Sequence, residues 1–200
     1  MSDASPGQIP IRPMRPSPRT PASPMDFTGL EFLRGLGITF VAFNVLLPIT
    51  ILVITAISQL RNGLPMFAGA QALMLVPLFS VPISALASLS YAGALAFGLG
   101  KLLRHEPRRS RHRLAFVGLG LVVGYATSLV VQISTYGSPS SNPAETFLNS
   151  THLFYALPTA LAVWGGWEWT SSRALRADRV AAELAVTPPA STETTASGTV

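Results

Sequence analysis

Cysteine is absent from these 200 residues. That absence excludes a disulfide framework, a thiol nucleophile and a cysteine zinc site, and it leaves the redox compartment unmarked. Charge is also scarce: 12% of the residues are Asp, Glu, Lys or Arg, against about a quarter in an ordinary soluble domain. Lysine occurs once, at Lys101, and every other basic residue is arginine, a bias expected of a GC-rich bacterial source. No phosphate-binding loop, dinucleotide glycine fingerprint, His-Glu-x-x-His pair or serine nucleophile elbow is present, so neither catalysis nor a cofactor or resident metal is expected.

Apolar residues make up 48% of the chain and are bunched into long uncharged stretches. A bilayer core of roughly 30 Å demands about 18 or more such residues per helical crossing. The fold class expected is therefore an all-α integral membrane protein with four transmembrane helices. The sequence pI is near 10.4 and the net charge +5, but the basic residues flank the apolar runs instead of forming a basic domain. They read as topology signals, and nucleic acid is not an expected partner.

Residues 1–27 are expected to form a disordered cytoplasmic tail. Its prolines, from Pro6 to Pro24, remove backbone donors, and it has no apolar face to bury. At this density Pro-x-x-Pro spacings arise by chance. Order should begin at Thr28, where Thr28 and Glu31 have capping-box spacing and Phe27 and Phe32 the spacing of a hydrophobic staple. The first span, 36–60, is closed by Arg61, Asn62 and Gly63. It is too long for a signal-peptide core and should remain as a signal anchor.

The stretch 64–103 exceeds one crossing, and Pro77 and Pro82 interrupt it. Two crossings would place the basic loop 101–113 opposite the arginine-bearing N-terminus, against the positive-inside tendency. One crossing at 78–100, with 66–76 as a bent or interfacial lead, keeps both basic segments together. The third span is 114–135. A turn-rich loop without Lys or Arg follows, and Asn142, Pro143 and Glu145 then mark the start of a helix. The fourth span is 146–169, completing a membrane domain over 28–169. Trp164, Trp167 and Trp169 are expected to anchor its inner end among headgroups. A cytoplasmic helix extension at 170–187 and a disordered tail at 188–200 complete the chain. In this arrangement every basic residue except Arg61 lies on the cytoplasmic side, consistent with a cell membrane protein, in bacteria the plasma membrane, with both termini inside.

Ser80, Ser84 and Ser88 recur every four residues on the second span, and Gly120, Gly124 and Ser128 do so on the third. Such stripes let helix backbones approach closely, so they are expected at helix-packing seams. Lys101, Arg104, Arg108, Arg109, Arg111 and Arg113 form a cluster suited to anionic lipid headgroups. Glu145, Asn149 and His152 share one helical face and are weak candidates for a polar site, although capping explains Glu145. Glu168 lies between two tryptophans at the inner boundary, where a partner such as Arg104 or Lys101 is expected. Asn44 stands four residues before Pro48, placed to re-satisfy a kinked backbone.

The expected partners are the bilayer, anionic headgroups, and other membrane proteins or a second copy of the chain. The expected function is that of a non-enzymatic structural or accessory protein acting by association. The alternative, a small transporter or channel subunit using a polar seam, requires a cavity reaching past Asn44 or Gln132 toward mid-membrane.

Overall fold

The structure, a computed structural model, describes residues 17–65, 73–136 and 151–186. These build helices α1 (Gly29–Arg61), α2 (Leu75–His105), α3 (Arg109–Tyr136) and α4 (Thr151–Val186). At about 1.5 Å per residue each exceeds roughly 40 Å, longer than a hydrocarbon core. Three of them, α1, α2 and α3, are both long and apolar enough to cross a membrane.

Helix α1 starts where its first turn is chemically closed. The Glu31 N–H donates to Thr28 Oγ1 at 3.2 Å, and the Thr28 N–H donates to Glu31 Oε2 at 2.8 Å. The staple is present too, with the Phe27 and Phe32 rings 6.1 Å apart. At the other end Gly63 takes φ +68°, a conformation that glycine adopts without strain. The Leu64 N–H then reaches the Gln59 carbonyl at 2.9 Å and the Gly63 N–H the Leu60 carbonyl at 3.2 Å, which satisfies carbonyls left open by the last turn.

Helix α2 is continuous from Leu75 to His105. Pro77 sits in its first turn, where no N–H is needed, and Pro82 is absorbed within it. A single π turn at Ser88–Ala92 widens its middle and directs the Gly93 N–H to the Ser88 carbonyl. A Cβ at Gly93 would lie 2.5 Å from that oxygen, so this turn requires glycine. Residues 66–72 of the expected lead lie outside the described residues.

Helix α4 packs between α1 and α3. Its seam with α3 is an antiparallel register of four-residue steps. A Cβ at Gly120 would stand 2.5 Å from Ala160 Cα, and one at Gly124 would stand 2.8 Å from Ala156 Cα. One step further, Ser128 Oγ hydrogen-bonds His152 Nδ1 at 2.8 Å. On its other side α4 meets α1 through small residues: a Cβ at Gly35 would stand 3.1 Å from Thr170 Oγ1, and one at Gly166 would stand 2.9 Å from the Gly35 carbonyl.

Large apolar side chains point outward. Val41, Val45, Ile49 and Val53 on α1, and Leu153, Leu157 and Leu161 on α4, are all half or more exposed at four-residue spacing. On α4, His152, Gly166 and Thr170 are on the faces turned to α3 and α1, while its outer stripe is leucine.

Residues 17–28 depart from the tail reading. Arg19 reaches both Glu31, at 3.3 Å, and Asp178 on α4, at 3.0 Å, and its side chain is only 12% exposed. Lys101 Nζ donates to Asp26 Oδ1 at 2.6 Å, the Met25 N–H donates to the Arg104 carbonyl, and His105 Nδ1 donates to the Ala22 carbonyl. Proline content forbids a helix here but not a strap fastened by side chains. Residues 1–16 and 187–200 lie outside the described residues.

Candidate functional site

Helix α2 stands across the bundle from α4 and is attached to its neighbours at few places. Asn44 of α1 is the principal one: its amide donates to Ser84 Oγ at 3.0 Å and to the Phe40 carbonyl at 2.9 Å, while Ser80 Oγ donates to Asn44 Oδ1 at 2.9 Å. Ser80 and Ser84 therefore serve a hydrogen-bonded clamp, and Asn44 bridges two helices instead of attending only to the backbone near Pro48. Tyr91 of α2 hydrogen-bonds Thr127 of α3, and Phe97 packs edge-on against Phe27 and Phe32.

Between these attachments the four helices leave a chamber of about 740 Å³. It extends along α1 from Glu31 to Ile51, roughly 30 Å of helix. Leu36, Phe43, Phe79, Ile83, Leu119 and Val123 typify its wall. Its charged side chains, Arg19 and Glu31, are at the end near the basic loop. The hydroxyls of Ser80, Ser84 and Ser128 face it but are committed to Asn44 and His152. Those of Thr127, Thr159 and Thr170 donate to carbonyls of their own helices. The rest of the wall is mostly aliphatic and aromatic. Ser88 and Ala92, the two ends of the π turn, both border it, and such turns recur where a helix is shaped around a site.

The basic end is closed by a network that begins at His112. This ring is 2% exposed and stacks on Trp167 at 5.4 Å. Its Nε2 lies 2.9 Å from the Glu106 carbonyl, and since a carbonyl only accepts, Nε2 carries the proton. Glu168 is held by Arg113 at 2.9 Å and Arg109 at 3.1 Å. Its partners are thus on the first turns of α3, not Arg104 or Lys101, because Lys101 is taken by Asp26. Trp167 is turned inward against His112 and Phe116, whereas Trp164 and Trp169 are exposed; the three do not form one belt.

Within the basic cluster, Arg111 pairs with Glu106. Arg109 and Arg113 pair with Glu168, and Lys101 with Asp26. Arg104 donates to the His105 ring. Among the described residues Arg104 and Arg108 make no side-chain ion pair with a carboxylate, so the cluster offers fewer uncompensated charges than its composition implies. Gly120, Gly124 and Ser128 lie on the α4 seam, and Ser88 opens the π turn. His152, fully buried, bonds Ser128 and meets the Tyr125 ring edge-on. Glu145 and Asn149 lie outside the described residues.

Sequence reasoning, which takes His105 and His112 among arginines as poor metal ligands, does not reveal the buried stacking role of His112 or the chamber. A signal for His112 was available, since His112, Phe116, Gly120, Gly124 and Ser128 form one unbroken four-residue series. No protein-family model, curated protein or solved structure matches this chain. The site is therefore read from its own chemistry. No group of three or more His, Asp or Glu residues able to hold a metal occurs among the described residues. Among the described residues lining the chamber, no pair of carboxylate, histidine or basic groups stands at mid-depth to exchange a proton with a bound molecule. What it offers is shape and apolar surface.

Proposed function

We propose that this chain is a non-enzymatic accessory protein that crosses a bacterial plasma membrane four times and holds a hydrocarbon-chain molecule inside its bundle. The chamber carries this reading. Its wall is mostly apolar and follows α1 from Glu31 to Ile51, roughly 30 Å, which matches the chemistry and the length of an extended alkyl chain.

Placement in the membrane rests on three apolar helices and on the leucine stripe that α4 turns outward. Cytoplasmic termini rest on the gathering of all basic residues but Arg61 at one end. Arg104 and Arg108 are the side chains best placed to meet anionic headgroups. Other membrane proteins or a second copy would engage the exposed flanks. A transport role is the second reading, favoured by the reach of the chamber to Gln132. Beyond Arg19 and Glu31 at the basic end, its described wall carries no charged side chain, which disfavours ions, so the cargo in that case is also apolar.

Two measurements test this proposal. Ser140→Cys, in a chain otherwise free of cysteine, should react with a membrane-impermeant thiol reagent in intact cells; labelling only after permeabilisation refutes the orientation. With Trp164 and Trp169 replaced by Phe, the remaining Trp167 should be quenched saturably by a fatty acid brominated on its chain. A protein retaining only exposed Trp164 should show unsaturable quenching, and identical behaviour of the two refutes the chamber.

A further inference from the structure

We propose that residues 17–28 form a gate over the basic end of the chamber, held shut by a clasp at Arg19 and a seat at Phe27. The inference rests on the chamber reading and concerns its regulation. Arg19, Met25 and Phe27 of the strap all form part of the chamber wall, so lifting the strap would open that wall.

The seat is built for one ring. A Cβ at Gly100 would lie 2.6 Å from Phe27 Cε1, so the ring rests on bare backbone that any other residue would obstruct. Phe32 stacks beside it and Phe97 meets it edge-on at 5.7 Å. The Lys101 ammonium stands 4.7 Å from the ring centre, which adds a cation–π contact to the ion pair that Lys101 makes with Asp26.

The clasp joins parts distant in sequence. One guanidinium holds Glu31, at the start of α1, and Asp178, in the extension of α4 beyond the tryptophans. Glu31 also completes the capping box, so the carboxylate that starts α1 fastens the strap. Asp178 has no such second duty in the described structure. Opening the clasp requires breaking charge-assisted bonds around an arginine that is mostly shielded from solvent, yet it disturbs no helix–helix seam. Between Arg19 and Phe27 the strap is tied to the end of α2 by single bonds at Ala22, Met25 and Asp26, with no regular backbone pairing, so it can swing without unfolding the bundle.

The test follows the rate at which a brominated fatty acid quenches Trp167 after mixing, in the full chain with Trp164 and Trp169 replaced by Phe. Arg19→Ala and Asp178→Asn should each raise the entry rate several-fold, and Asp178→Asn, whose side chain is not part of the wall, should leave the final extent of quenching unchanged. Asp178→Asn leaves the α1 cap intact and so guards against a folding defect in the first variant. Arg19→Lys should restore much of the slow entry. Equal rates in wild type and both opened variants overturn the gate while leaving the chamber reading standing. A reduced final extent in Asp178→Asn also overturns it, since fastening the strap would then be needed for binding itself. Absence of saturable quenching in every protein overturns the chamber reading and the gate together.

Discussion

Gly124 of α3 lies directly against Ala156 of α4: a Cβ built on the glycine would stand 2.8 Å from Ala156 Cα and 2.6 Å from Thr159 Oγ1. No real Cβ fits at those distances without moving backbone. Gly124→Leu should therefore force α3 from α4 and lower the melting temperature of the detergent-purified protein, at an overpacking cost of about 1–3 kcal/mol. Gly124→Ala should do the same to a smaller degree. Unchanged melting of the leucine variant would mean that this face meets lipid.

Asn44 should matter to α2 and to little else. Asn44→Leu removes the hydrogen bonds to Ser80 and Ser84, a loss of about 1 kcal/mol for a clamp within apolar surroundings. Amide exchange in α2 should accelerate, while exchange along the α3–α4 seam stays near wild type. Ser80→Ala combined with Ser84→Ala should reproduce the effect. Acceleration spread evenly over all helices would show that the clamp supports the whole bundle.

The strap should loosen in acid. Lys101 hydrogen-bonds Asp26 and, against a smaller opposing effect of burial, holds its carboxyl below the ordinary aspartate value, with Arg104 adding to the attraction. The unfastened strap binds this proton more readily than the fastened one. The stabilisation is therefore fully present above the ordinary pKa of about 3.9 and is lost as pH falls through the lowered value. Protection of the strap from proteolysis should be flat from pH 7 to 5 and fall below about 4. Asp26→Asn should show weaker protection at neutral pH and a flatter acid profile. An identical profile in the variant would remove Asp26 from the fastening.

Much of the fold is legible because helix ends and packing stripes are local. The cap at Thr28 and Glu31, the stop at Gly63 and the spacing of Gly120 and Gly124 depend on residues within a turn or two. Pairing is not local. That Ser128 meets His152, or that Asn44 reaches two serines some 40 residues away, depends on the relative rotation of whole helices, which apolar periodicity leaves open when large apolar side chains also point outward. On α4, His152, Gly166 and Thr170 are turned to neighbouring helices, which its composition alone does not reveal. The strap is hidden because Arg19 acquires its role only when Glu31 and Asp178 come together. The chamber has no residue signature, since it is the space left where α2 stands away from α4.

Mass measurement of the intact protein released from its own membrane tests the central claim most directly. The account predicts a bound molecule bearing a hydrocarbon chain, at one per chain, that is absent from Leu119→Trp, in which a larger side chain fills the chamber from a residue of its wall. The same variant should melt no lower than wild type depleted of that molecule. A bare mass for the wild-type protein, or an equally occupied Leu119→Trp, would contradict the account.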